Sequence, residues 1–298
     1  MIRSLPARRL TVALALGLLA GACSTPEADT DADAEAPSMT AEATVPVRPT
    51  ADDQLPPTLV GEGGELQGQD LQYMPGDTET TGYLAVPEGE GPFPGLLIVH
   101  EWNGLVDRVR RMADDLAAEG YVTLAVDLYG GRTGSNQEEN MALVREVQAD
   151  QAAMLENMNT ALSYLQGRDD VTGRVGTMGW CFGGGIALSF GLDGADHDAT
   201  AIFYGQLVTD PAVLENMSHE VYGTFAELDS GIPPEQVEQF VQALDAAGIE
   251  NDVHVYDAVN HGFWLHADQD PETRNEPALD AWQRLKAYLD RTLGSGMD

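Results

Sequence analysis

The sequence predicts one doubly wound α/β domain with a mostly parallel sheet, and three observations carry that expectation. Strand-length apolar runs alternate with amphipathic helical stretches over residues 56–298 of the 298-residue chain, the pattern of stacked βαβ units. The run 95–100, Gly-Leu-Leu-Ile-Val-His, is apolar without alternation, as a parallel strand covered on both faces requires. Reactive side chains then recur where such runs end, at the edge where open α/β sheets place their ligands.

The elements follow in order. Residues 81–86 and 95–100 read as strands, and a helix over 107–119 puts Val106, Val109, Met112, Leu116 and Ala117 on one face before Gly120 stops it. Strand 121–126 ends at Asp127. After a Gly-rich loop, Met141, Val144, Val147, Met154, Met158 and Leu162 form one stripe, which predicts a single long helical segment over 136–165 with that stripe in the core. Strand 174–180 and a helix behind it come next, then strands 201–204 and 221–225. Helix 234–247, strand 252–256 and helix 277–293 complete the domain. No internal repeat or second domain is visible.

The first residues have another character. Arg3, Arg8 and Arg9 precede the apolar run 10–19, which gives way to Ala20, Gly21, Ala22 and Cys23. A charged start, an apolar stretch too brief for a membrane span and a small-residue cut site predict an export signal over 1–22. The ending resembles the lipobox of bacterial lipoproteins, which implies a lipidated Cys23 and a cell-envelope location on a membrane outside the cytoplasm; without lipidation the chain is secreted. Residues 24–55 hold eight acids, one base (Arg48) and few large apolar side chains. That composition cannot offset its ordering entropy, so 23–55 reads as a disordered acidic linker leading to the domain at 56–298.

The formal net charge is -34 for the chain and -30 for residues 56–298, where Lys286 is the sole lysine. Such a surface excludes nucleic acid and anionic membranes as partners and steers bulk anions away, leaving a lipid anchor as the one membrane contact. No metal-ligand spacing and no cofactor motif emerges, so no metal or cofactor is expected. Oligomeric state is not written in the composition.

Cys181 stands in Gly179-Trp180-Cys181-Phe182-Gly183-Gly184 after a strand and before a helix. This is G-x-C-x-G, the thiol counterpart of the G-x-S-x-G turn by which an α/β-hydrolase exposes its nucleophile. The flanking glycines leave room beside a residue held in a sharp turn. On its own the match also fits a small buried cysteine beside a loose turn. With Cys23 lipidated, though, Cys181 is the one thiol left, open to oxidation and without a disulfide partner. The same lack of a resolving cysteine argues against a redox sensor.

Three more strand ends carry chemistry: Glu101 after 95–100, Asp229 after 221–225 and His261 after 252–256. Singly, Asp229 fits a polar turn, His261 a structural histidine and Glu101 a surface acid. Together, nucleophile, acid and histidine fall in the chain order of the α/β-hydrolase fold. His197, His219, His254 and His266 read as solvated surface residues beside acids or along a strand.

These residues in their surroundings resemble the dienelactone hydrolase family. The likeness rests on His100-Glu101-Trp102-Asn103-Gly104, Asp127-Leu128-Tyr129-Gly130-Gly131, the 179–184 turn, 223–229, Tyr256 and His261-Gly262-Phe263, and it covers about residues 60–295. It implies Cys181 as nucleophile, His261 as base, Asp229 as its orienting acid and Glu101 in contact with the resting thiol. The backbone N–H groups of Trp102 and Phe182 would form the oxyanion hole. It further implies a small ester or lactone as substrate, with Arg132 and Trp264 in loops that line the pocket. Two arginines hold the substrate carboxylate in that family; here Arg132 falls one place late and Leu265 occupies the second position, which argues against a carboxylated dienelactone. The expectation is therefore hydrolysis of lactones, aryl or enol esters, or thioesters through a covalent acyl-thioester. The alternative, a lipid-anchored binding protein on a hydrolase scaffold, would be favoured by a missing triad member, and none is missing.

Overall fold

The sheet positions everything else. In the computed structural model, which describes residues 51 and 53–294, the strands are β1 (Gln69–Leu71), β2 (Gly82–Ala85), β3 (Phe93–Val99), β4 (Val122–Val126), β5 (Val171–Trp180), β6 (Ala199–Phe203), β7 (Val221–Ala226) and β8 (Asn251–Tyr256). They form one sheet in the order β1-β2-β4-β3-β5-β6-β7-β8. The pairs β1–β2 and β2–β4 are antiparallel, and every other pair is parallel. The helices are α1 (Asp107–Ala118), α2 (Gln137–Ala149), α3 (Gln151–Gln166), α4 (Phe182–Asp193), α5 (Pro211–Leu214), α6 (Pro234–Ala247) and α7 (Pro271–Leu293). The export signal, Cys23 and the linker up to residue 50 lie outside the described residues.

Alternation along the strands divides the core between two faces. Leu96 and Ile98 pack with α1 and α7 through Met112, Leu116, Trp282 and Leu285. Leu97 and Val99 face the other way, toward Met158, Leu162 and Leu165 of α3 and Phe190 of α4. Near β6 and β7, α6 closes that second face with Val237, Phe240 and Leu244. Side chains of this size contribute about 1.5–3 kcal/mol each when fully buried, so both layers are tied firmly to the sheet.

Three expectations change. The segment 136–165 is two helices: Asp150 leaves helical geometry at φ -134°, ψ 74°, and its carboxylate caps α3 by accepting from Ala153 N–H at 3.0 Å. The apolar stripe continues across that break because Val147 of α2 packs against the core cluster that holds Met154, Met158 and Leu162 of α3. The last helix begins at Pro271 rather than 277, with Pro277 inside it. The polar strand β1, which adds an antiparallel edge, carries no apolar run to announce it.

Residues 56–68 strap the start of the domain to α1. Thr58 N–H donates to Asp115 at 3.0 Å, Gln67 and Gly68 N–H to Asp114 at 3.0 Å each, and Leu59 is fully buried. Burial pushes Asp115 up to about 6. Arg108 ties this strap to the loop after β8: its guanidinium donates to Thr58 O (3.2 Å), Leu265 O (2.9 Å) and both oxygens of Asp268 (2.9 and 2.7 Å).

Candidate active site

Cys181 sits at the junction of β5 and α4 with φ 55° and ψ -118°, a conformation that costs on the order of 1–3 kcal/mol for a residue with a Cβ. The crowding around it explains the glycines. A Cβ on Gly179 would lie 2.3 Å from Gly183 O, and one on Gly183 would lie 2.3 Å from Val99 O and 2.5 Å from His100 O. The turn is held by Cys181 N–H donating to Phe203 O at 2.9 Å, and Cys181 O accepts from Gly184 and Gly185 N–H as α4 begins. The thiol is half-buried and stands at the amino end of a helix.

Asp229 follows β7 and His261 follows β8, two adjacent parallel strands. His261 Nδ1 donates to Asp229 Oδ2 at 2.6 Å, and Asp229 Oδ1 accepts from Gly231 and Ile232 N–H at 2.8 and 3.2 Å. One carboxylate oxygen is therefore fixed by backbone while the other orients the ring. Burial works against a charge on His261, but its hydrogen bonds to Asp229 and with Cys181 outweigh it, so its pKa is raised. The structure thus brings Cys181, His261 and Asp229 together, as their chain order predicts.

Around them the loops are pinned by aromatic and histidine side chains to which the sequence analysis gave no role. His100 is fully buried; its Nδ1 donates to Glu101 O at 2.6 Å and its Nε2 accepts from Leu128 N–H at 3.3 Å. Burial holds it neutral despite neighbouring acids. Tyr129 Oη donates to Trp102 O at 3.0 Å. The N–H groups of Trp102 and Phe182, on the loop after β3 and the first turn of α4, have no hydrogen-bond partner among the described residues. Tyr204, at the end of β6 with φ 39°, sets its ring 4.9 Å from that of His261 and accepts from Leu265 N–H at 3.3 Å. Its position one residue past an apolar strand, level with Cys181, was the available signal.

Other expectations are corrected. Glu101 is buried at the strand end, and its Oε2 accepts from His266 Nε2 at 3.0 Å. His266 is thereby a buried-site partner and not a solvated residue. His197 and His219 are also packed inward: their rings lie 4.7 Å apart, and both Nε2 atoms meet Thr200 Oγ1. His254 is half-buried against Tyr256 and Arg284. Trp264 does not line a pocket; it is fully buried, stacked at 5.9 Å on Trp180 and 4.5 Å from Phe203, because its place in the loop turns it into the core. Arg132 is largely exposed and committed to Glu146 (2.5 Å) and Tyr129 O (2.8 Å). Among the described residues no group of three or more His, Cys, Asp or Glu could hold a metal ion, and no helix is long and apolar enough to cross a membrane.

A family model, that of the dienelactone hydrolases, matches residues 80–293, a span containing all of these side chains. The chain belongs to the dienelactone hydrolase family. Among its relatives is a Methylorubrum extorquens protein named as a candidate carboxymethylenebutenolidase, 29% identical over 245 residues, covering 78% of this chain and 84% of that one. A Synechocystis protein of the same name is 29% identical over 231 residues, covering 72% and 93%. Among solved structures, a candidate dienelactone hydrolase from Klebsiella pneumoniae superposes with a TM-score of 0.66 at 24% identity, over 75% of this chain and 98% of that one. A dienelactone hydrolase-like promiscuous phosphotriesterase from metagenomic libraries gives 0.67 at 21%, over 78% and 100%. At these identities the structural likeness speaks for the fold alone: the chain has the α/β-hydrolase fold of its family.

Proposed function

We propose that this hydrolase cleaves carboxylic ester-type bonds through the triad Cys181–His261–Asp229. The observation that carries the reading is the 2.6 Å Asp229–His261 bond beside a cysteine in a strained turn. The thiolate of Cys181 attacks the carbonyl carbon, and the oxyanion takes up the free N–H groups of Trp102 and Phe182. One such donor is worth about 2.7–4 kcal/mol at the transition state. Collapse expels the alcohol or enol, which takes the proton from His261, and leaves an acyl-thioester on Cys181. Water then attacks the thioester as His261 removes its proton, and the acid and the thiol are released. Asp229 holds the imidazole in the tautomer both steps need.

The thiol narrows the substrate. With a free pKa near ~8.5 a thiolate leaves a tetrahedral intermediate more readily than an ordinary alkoxide. Acylation therefore goes forward with stabilised leaving groups: enol lactones, aryl esters and thioesters. The carboxymethylenebutenolidase named for the relatives acts on a carboxylated lactone. Here Arg132 is neutralised by Glu146 and Leu265 is buried, which favours uncharged acyl groups. A panel of neutral and carboxylated lactones, aryl esters and thioesters, run with Cys181→Ala, tests both parts. Cys181→Ala is expected to lose at least ~10³-fold in kcat with an unchanged melt; turnover at the wild-type rate would overturn the triad.

Cys23 is proposed as a lipid attachment point after removal of residues 1–22, which would hold the hydrolase at the cell envelope. The support is the charged-apolar-small pattern ending at that cysteine. Fatty-acid labelling of the chain and of Cys23→Ser tests it: label retained in the variant would overturn it.

A further inference from the structure

The carboxylate of Glu101 is the second buried acid of this site, and the triad does not use it. It is 7% exposed, a setting in which an ionised carboxylate persists only if something holds the charge. His266 Nε2, 3.0 Å from Oε2, is its one hydrogen-bond partner among the described residues. His266 is itself built into place. Its N–H donates to Gly262 O at 3.2 Å, its carbonyl accepts from Arg274 at 2.8 Å, and its Nδ1 faces the Gln269 amide at 3.4 Å. An amide N–H donating to Nδ1 leaves the proton on Nε2, the atom that meets Glu101.

The charges facing this pair come from several elements, with His100 beside Glu101 and Arg274 of α7 on the His266 carbonyl. His261 and His266 arrive on the loop after β8, Arg108 from α1 and Tyr204 from the end of β6. Arg108 is already committed to Asp268 and two carbonyls. Burial alone would raise the Glu101 pKa; His266, then His261 and Arg108, more than reverse it and hold the group ionised. His261, in turn, is flanked by Asp229 and Cys181.

We propose that His266 is a positioning residue for the reaction: by donating to Glu101 it keeps that buried carboxylate in place, so that its charge favours the imidazolium of His261. This rests on the triad reading above. The consequence is electrostatic and has a definite sign. A negative charge near His261 stabilises its protonated form, so losing that charge lets the imidazolium deprotonate at lower pH. In a thiolate–imidazolium pair that event sets the alkaline limb of kcat/KM.

The test compares His266→Leu, which cannot donate, with His266→Gln, whose amide can. Both are measured on the full chain, beside Glu101→Gln and the double variant with His266→Leu. The readouts are the pH profile of kcat/KM on an aryl ester and the pH profile of iodoacetamide alkylation at Cys181, followed by peptide mass. In His266→Leu and Glu101→Gln the alkaline limb is expected to move down by about one pH unit. The double variant should move no further, and His266→Gln should keep most of the wild-type profile. Equal losses in the Gln and Leu variants, an unmoved alkaline limb, or additive shifts would overturn the proposal; thermal melts identify a variant that fails to fold, in which case the Gln variant and Glu101→Gln decide. Alkylation reads the thiol without turnover, so failure of the triad itself, seen as an active Cys181→Ala, is distinguishable from failure of His266.

Discussion

Two groups of histidine occupy opposite ends of the same sheet and meet opposite electrostatic fates. At the carboxyl edge, His261 has a carboxylate on one side and a thiol on the other, and its pKa rises. At the amino edge, beside the start of β6, His197 and His219 share Thr200 and have no carboxylate hydrogen-bonded to them. His197 Nδ1 donates to Ala195 O at 3.0 Å, which leaves its Nε2 to accept from Thr200 Oγ1; that oxygen then accepts from His219 Nε2 at 2.8 Å. Every proton of the chain is assigned with both rings neutral. Burial lowers both, and His197 helps to bring His219 down to about 4. Burial alone does not decide whether a histidine is charged; the hydrogen-bond acceptor beside it does.

The largest effect that could break this comparison is at His261. Asp229→Asn should cut kcat by on the order of 10⁴-fold, since an amide permits the wrong tautomer. In a double variant with Cys181→Ala the loss should be no greater than for the cysteine alone. Additive losses in steady-state assays would mean that another acid orients the ring.

The next effect is on stability and has opposite signs at the two edges. His219 is lowered from 6.5 to about 4 on folding, so the unfolded chain binds more protons between those values. Stability should therefore fall as pH drops below about 6.5 and level off near 4, by on the order of 3 kcal/mol. His261 is raised, so its contribution is complete below the unfolded value and is lost as pH rises through the folded one. Urea melts of His219→Asn from pH 7 to 4 should lose much of the acid sensitivity while ester turnover stays unchanged. An acid limb identical to the wild type would mean that other groups set it.

The smallest effect separates buried charge from surface charge. Raising KCl from 0.01 to 1 M shortens the Debye length from ~30 to ~3 Å. That relieves repulsion in a domain carrying -30, and the thermal midpoint should rise. The pH midpoints of the two histidine groups, shielded by protein, should stay put. A flat or falling thermal midpoint would show that the acids are already well dispersed.

How far the sequence was legible depended on whether the signal was local. Helix α6 matches its expected bounds because Pro234 starts it and Gly248, at φ 74°, stops it. The 179–184 turn was readable because three glycines and a thiol have few other uses together. Asp150 was invisible as a break because the apolar stripe runs straight through it. His266 could not be placed because its partner lies 165 positions away, and the four residues separating it from His261 do not say which side chains turn inward. Trp264 failed for the same reason: Phe263, Trp264 and Leu265 are all fully buried in one cluster, which a loop sequence does not announce.

The strap at 56–68 has a consequence for anyone trimming or grafting this fold. Inspection of the parallel sheet suggests that the useful domain starts near β2. A chain cut after Gly68 would keep that sheet, yet Asp114 and Asp115 would lose the backbone amides of Thr58, Gln67 and Gly68. Arg108 would lose Thr58 O while still gripping Leu265 O and Asp268. The missing piece lies far along the chain from His261, but its removal would unsettle the guanidinium that steadies the histidine's own loop. Shortened versions should therefore keep Pro56 as their first residue, and fusion partners belong upstream of it.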